Sequence, residues 1–159
     1  MNTDLYTPPE LAELALRVLG GIDLDPATDN SGCSLIQNER GFTADDDGLS
    51  QPWHGRVWLF PPHDGRRAAW VQKLLHEHRR GRVSAALLYT ALDSRAPWFH
   101  HLTRSASICF VSGSMQAVED NGQLMARSRH GAILAYLGPQ PEHFSAEIAD
   151  LGTVMQVVE

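Results

Sequence analysis

Three short stretches of the chain carry residue types that could do chemistry. The first is Asp23-Leu24-Asp25-Pro26-Ala27, with Thr7-Pro8-Pro9 upstream. The second is Phe60-Pro61-Pro62-His63-Asp64, preceded by Asp46-Asp47-Gly48-Leu49 and Trp53. The third runs from Thr90 through Asp93, Arg95 and Trp98 to Phe99 and His100. Carboxylates such as Asp25 and Asp47 suit a small cationic ligand electrostatically. Aromatic side chains in the third stretch can stack on an unpaired or flipped base, worth roughly 1–3 kcal/mol each. Arg66-Arg67, Arg127 with Arg129 and His130, and Arg79-Arg80 with Arg82 are candidate phosphate contacts. Each residue also has a plainer role. Asp25-Pro26 can be only a turn, Asp45-Asp46-Asp47 only a solvated loop, and Trp98-Phe99 the buried face of a helix, the reading preferred for Phe99. The Arg79 cluster, at a helix end, is equally explained by the helix dipole.

Other chemistries are weakly represented. There is no Gly-rich phosphate loop and no Ser-His-Asp signature. His76-Glu77-His78 has the wrong spacing for a helix-borne zinc pair, which needs His at i and i+4, and reads as a solvated helix end. Cys33 and Cys109 are too few for a disulfide scaffold or a cysteine-based zinc site and fit a reducing cytoplasm. The first residues lack the basic start and apolar run of a secretory signal. No apolar run approaches the ~20 residues of a membrane span, so no membrane partner is expected.

With 159 residues and a hydrophobic fraction of 43%, the chain is expected to fold as one soluble domain with its own core. The net charge of −6 argues against simple coating of nucleic acid, but it hides an asymmetry. Residues 1–50 carry −8, residues 51–110 carry +6 and residues 111–159 carry −4. Of the 13 basic residues, all but Lys73 are arginine, whose planar fork suits phosphates and base edges. High-GC coding enriches arginine too. The division suggests an acidic part for a cationic ligand and a basic part for an anionic partner.

The elements that must position these residues follow from pattern. Pro8-Pro9-Glu10 opens a helix whose apolar face is Leu11, Leu14, Ala15 and Val18, ended by Gly20-Gly21. Strands are expected at residues 22–25, 56–60, 83–89, 108–111, 132–137 and 154–158, with helices at 68–80 and 94–102. Ala69, Val71, Leu74 and Leu75 are the expected core contacts of the second helix. Residues 27–52 read as a long irregular region, and Asp120-Asn121-Gly122-Gln123 as a hairpin turn. The pattern predicts an α/β sheet with antiparallel strands near its C-terminal end. Ligands in such sheets bind beyond the carboxyl ends of the strands, which directs attention to the residues after Asp25, Phe60 and Tyr89.

In order and spacing, these segments resemble the small phage-type DNA N6-adenine methyltransferases. That family opens with Thr-Pro-Pro and runs through Asp-Leu-Asp-Pro-Ala, Asp-Gly-Leu, Trp and Gly to a strand closing in Asn-Pro-Pro-Tyr, with Asp-x-x-Trp-Phe-His later. The matching residues are Thr7-Pro8-Pro9, Asp23 to Ala27, Asp47-Gly48-Leu49, Trp53, Gly55, Pro61-Pro62, Asp93 and Trp98-Phe99-His100. The likeness covers about residues 5–137. It implies a Rossmann-like methyltransferase sheet and S-adenosylmethionine as methyl donor. It further implies that Asp25 holds the donor's methionine end, that Asp47 contacts its adenine and that Thr7 closes the pocket. Pro8, Asp23, Pro26, Ala27 and Leu49 belong to the same implied donor site. Asp93, Arg95, Trp98, His100, Arg66, Arg67, Arg127 and Arg129 belong to the implied DNA side.

The acceptor motif departs from the family. There, a polar residue before Pro-Pro accepts a hydrogen bond from the base amine, the prolines aim backbone carbonyls at it, and the last aromatic stacks on the base. Here Phe60 can accept nothing, and His63 is a smaller ring than tyrosine. Losing a transition-state acceptor typically costs ~10²–10³ in rate. Asp64, next door, could replace it. Three functions stay open: a phage adenine methyltransferase acting against restriction with short or relaxed specificity, a non-catalytic regulatory or anti-defence protein that binds donor, DNA or a host protein, and transfer to another acceptor.

Overall fold

Two prolines and a glycine frame the first helix as the sequence predicts. Helix α1 spans Pro9–Leu19, with a proline in its first turn and Gly20 left-handed at its end. The computed structural model describes residues 7–28, 38–113 and 131–157. These form β1 (Leu24–Asp25), β2 (Arg40–Gly41), β3 (Gly55–Leu59), α2 (Arg67–Arg79), β4 (Val83–Ala91), α3 (Pro97–Thr103), β5 (Ser107–Val111), β6 (Ala132–Leu137), α4 (Pro141–Glu147) and β7 (Gly152–Met155). Single 3-10 turns occupy Ala44–Asp46 and Gly48–Ser50. The protein is therefore α/β, with four helices around a mixed sheet of seven strands ordered β2-β1-β3-β4-β6-β5-β7.

Strands β2, β1, β3 and β4 run parallel, while β6 is antiparallel to both β4 and β5, and β7 is antiparallel to β5. The expected antiparallel C-terminal half is thus present. The turn proposed at Asp120 to Gln123, together with Arg127, Arg129 and His130, lies outside the described residues.

Two apolar layers sandwich the sheet. Val57, Leu59, Ala86, Leu88, Ile133 and Ala135 face α2 and α3. Trp58, Leu87, Tyr89, Leu134 and Tyr136 face α1 and α4. Residues on each strand alternate between these layers because successive side chains point to opposite faces. In β4 the alternation slips once. Gly55 pairs with Val83 and Arg56 with Ala85, so Ser84 is the extra residue of a bulge.

The pattern missed β2 and α4. A two-residue strand has too few positions to show a period. α4 repeats the proline start of α1 but is only seven residues long. In α2, Ala69 is exposed rather than buried, and Trp70 is the core contact in its place, 3% exposed. Glu77 also corrects the expectation of a solvated helix end: it is buried and accepts Arg82 Nη2 at 3.0 Å. That bond fixes the turn from α2 into β4.

The amino end of β1 is fastened to β3 by Asp23. Its carboxylate accepts the Arg56 backbone N–H at 2.7 Å, Nε at 3.0 Å and Nη2 at 2.9 Å. A Cβ on Gly55 would fall 2.5 Å from Asp23 Oδ2, so only glycine lets the strands close there. Arg56 hydrogen bonding is the main influence on the Asp23 pKa; against a smaller opposing effect of partial burial it holds the carboxyl below its ordinary value. Such a group stabilises the fold above its unfolded pKa, and the contribution fades as pH falls through the folded one. We expect Asp23→Asn to cost about 1–2 kcal/mol in urea unfolding at pH 7. The gap from the native protein should narrow as the pH is taken below 4, and a gap constant with pH would contradict this role.

Candidate functional site

The chain leaves β1 toward β2 on one side and returns to β3 on the other. Strand order therefore reverses at β1, and in open α/β sheets the crevice beyond the carboxyl ends at such a switch point is where ligands bind. A cavity of about 120 Å³ opens there. The exit of β1 contributes Pro26 and Ala27, and the exit of β2 contributes Phe42. The 3-10 loop adds Asp47 and Gly48, while the β3–α2 turn adds Pro62, Asp64 and Arg66 over the Trp70 ring. Its size is below the roughly 300–1,000 Å³ of pockets that enclose a drug-sized ligand. It suits one end of a larger molecule.

Backbone contacts hold these walls in place. The Trp53 indole N–H, fully buried, donates to the Gly48 carbonyl at 2.8 Å. Lys73 Nζ reaches from α2 to the Leu49 carbonyl at 2.9 Å, and Trp53 and Trp70 stack with centroids 6.0 Å apart. A Cβ at Gly48 would sit 1.9 Å from the Pro26 carbonyl oxygen. The Asp-Gly-Leu, Trp and Pro-Ala segments are thus locked by direct contact. Asp47 takes a left-handed conformation, φ 51°, which Asp tolerates better than most residues. Its side chain is exposed toward the cavity mouth.

The charged groups of the cavity are Asp47, Asp64 and Arg66. Arg66 donates through its backbone N–H and Nε to Asp64, both at 2.9 Å, with Nη2 at 2.8 Å from the same carboxylate. Its Nη1 lies 3.6 Å from Asp47 Oδ1. The Trp70 indole adds a long bond to Asp64 at 3.5 Å. Partial burial works to raise the Asp64 pKa, but the backbone and guanidinium bonds from Arg66 outweigh it and hold the carboxyl below its usual range.

The structure places the remaining expected residues as follows. Asp25 is 4% exposed, and its Oδ1 accepts the Ala27 N–H at 3.1 Å. Thr7 and Pro8 are buried at the start of α1. Leu49 packs against the core below the loop. None of Thr7, Pro8, Asp25, Leu49 and His63 lines the cavity. Asp23 stands apart, engaged with Arg56 at the other end of β1. Phe60 turns to the opposite face of the sheet from the cavity and meets Tyr89 edge-on at 5.1 Å. Pro61 is buried and His63 exposed. Desolvation by neighbouring atoms, then the Arg67 charge, pull the His63 pKa below its ordinary value.

The expected DNA side is rearranged. Trp98 is 5% exposed and packs in the core, so it presents no free face for a base. Arg67 lies over its ring at 6.0 Å. Asp93 caps its own turn by accepting the Arg95 N–H at 3.2 Å, and His100 Nε2 lies 2.8 Å from the Ser94 carbonyl oxygen. Of the expected contacts among the described residues, Arg66 and Arg82 are engaged by carboxylates, which leaves Arg67 and the exposed Arg79, Arg80 and Arg95 for an anionic partner. Among the described residues, no group of three or more His, Cys, Asp or Glu is placed to hold a metal ion, and no helix is long and apolar enough to cross a membrane.

Sequence reasoning missed Phe42 and Trp70 as walls and Arg66 as the link between two carboxylates. Phe42 carries no signal inside an irregular stretch. Trp70 could have been found as the one large apolar residue on the first turn of α2. No protein-family model matches the chain, and none of the curated proteins compared with it matches.

The lock at Gly48 is directly testable. Gly48→Ala forces its loop away from Pro26 and strains the Trp53 bond. It should cost about 2–4 kcal/mol, seen as a lower thermal midpoint. An unchanged midpoint would show that the loop is not pinned as described.

Proposed function

We propose that the chain is a DNA adenine N6-methyltransferase of the phage type, with S-adenosylmethionine as donor, working in the bacterial cytoplasm to protect DNA from restriction. One observation carries the reading. Segments far apart in sequence that resemble this family, after β1, at Asp47-Gly48 and at Pro62, supply the walls of one cavity at the switch point. A mixed α/β sheet is compatible with a Rossmann-like methyltransferase fold.

The cavity's chemistry fits one end of the donor. Phe42 and Trp70 offer apolar surface to a flat heterocycle, and Asp47 and Asp64 offer acceptors to amines and hydroxyls. When bound, S-adenosylmethionine supplies an electrophilic methyl group on a sulfonium. The chain's own part is to position and to exclude water. Pro26 and Ala27 form the β1 wall of the donor site, and Asp25, buried behind them, holds that turn by accepting the Ala27 N–H. Pro61 and Pro62 fix the backbone where the base amine would be held, without a covalent enzyme intermediate. Arg67 and the exposed Arg95 face the DNA backbone, and the His63 ring is left for the base.

A second reading keeps the donor site and drops the transfer: a regulatory or anti-defence protein that binds donor, DNA or a host protein. The side chain of Phe60, packed against Tyr89, favours it. Asp64, already accepting from Arg66 and Trp70, adds to it.

Calorimetry with S-adenosylmethionine, followed by label transfer to unmethylated DNA, separates the two. The first reading expects donor binding that Asp25→Ala weakens, and label in N6-methyladenine. Donor binding without label would support the second reading and remove the first, and absence of donor binding would remove the cofactor assignment and the first reading with it. If transfer is slow because residue 60 lacks an acceptor, Phe60→Asn should raise it about tenfold or more.

A further inference from the structure

We infer that Arg66 sets the preference of this cavity between the charged methyl donor and its uncharged thioether product. The inference rests on the donor reading above and adds a role for a residue that the family likeness assigns to DNA. Arg66 is the one cation among the described residues lining the cavity, and it lies between two carboxylates there, at 2.8 Å from Asp64 and 3.6 Å from Asp47. Asp47 and Asp64 alone would give the cavity a formal charge of −2, and Arg66 brings it to −1.

S-adenosylmethionine and S-adenosylhomocysteine share their adenine, ribose and amino-acid ends. They differ by a methyl group and by the positive charge of the sulfonium. Contacts to the shared parts cancel in the ratio of the two affinities, and the field at the sulfonium remains. A cavity at −2 favours the cation more than one at −1. If the sulfonium lay about 8 Å away, in a medium between protein surface and water, one unit of charge would change that ratio about three- to tenfold. Arg66 thus lowers discrimination, and product competes with donor more evenly than the acidic walls alone would allow.

The position of Arg66 supports a tuning role over a purely structural one. Its side chain is 51% exposed at the cavity mouth, while the loop it touches is already fixed by the Trp53 and Lys73 bonds to backbone carbonyls. Removing the guanidinium leaves those bonds in place.

The test is calorimetric titration of the full chain with each of the two compounds, comparing native protein, Arg66→Gln, Arg66→Lys and Asp64→Asn. The donor-to-product affinity ratio should rise about three- to tenfold in Arg66→Gln, stay native-like in Arg66→Lys and fall in Asp64→Asn. The rise should shrink in 0.5 M salt, since the mouth is open to solvent and ~0.5 M brings the screening length well under 10 Å. A loosened loop would weaken both compounds together and leave the ratio untouched, so an unchanged ratio in Arg66→Gln overturns the inference. Failure of the native protein to bind either compound would remove the donor reading and this inference with it. Binding with a constant ratio would remove the inference alone.

Discussion

A single buried hydrogen bond, from the Trp53 indole to the Gly48 carbonyl, holds the cleft together. A buried indole N–H without a partner costs about 1–3 kcal/mol, so the loop is drawn toward Trp53. It can follow only because Gly48 has no side chain to strike the Pro26 carbonyl. Once the loop is seated, Trp53 stacks on Trp70 and Lys73 caps the Leu49 carbonyl. The end of β1, the acidic loop and the start of α2 then form one unit. Backbone contacts do this work, which leaves the Asp47 carboxylate at the surface of the cleft.

The segregation of charge along the sequence becomes complementarity in the fold. The acidic first third meets the basic middle third twice, through Asp23 with Arg56 and Asp47 with Arg66. Within the middle third Glu77 takes Arg82, and Asp64 takes Arg66. Several arginines that a charge count assigns to a nucleic-acid partner are thus engaged inside the molecule. The pairs at the amino ends of the strands serve stability. Those at the carboxyl ends sit around a cavity, where the same charges also set its field.

Much of the fold was legible from the sequence because its long elements obey strict periods and carry prolines and glycines at their ends. The apolar face of α1 and the continuous apolar run of β4 are examples. What was not legible depends on contacts between distant residues. Trp98 reads equally as a base-stacking or a core residue until α3, which carries it, is seen packed against α2. Asp23 and Asp25 differ by one strand turn in sequence, yet one ends in an ion pair with Arg56 and the other beside the cleft. Asp64 looked like a spare acceptor, and only the helix start at Arg67 shows why it bonds Arg66: it satisfies a backbone donor at the helix entrance. Phe42 joins the cavity through β2, too short for any periodic signal.

The alternation of β3 separates the side chain of residue 60 from the cavity. Val57 and Leu59 face the α2 layer, on which Phe42, Trp53 and Trp70 also lie. Trp58 and Phe60 face the α1 layer. Any side chain at position 60 therefore projects away from the cavity, toward Tyr89, and Pro61 and Pro62 carry the chain from one face to the other. A polar group at residue 60 would stand on the α1 side, while the cavity walls lie on the α2 side. Replacing a polar residue by phenylalanine there fills an apolar layer and leaves the walls of the cavity unaltered. The side chain of residue 60 and the cavity thus occupy opposite faces of one strand end. A phenylalanine at residue 60 is thus compatible with a fully formed cavity, and a polar side chain there would have to find a partner beside Tyr89.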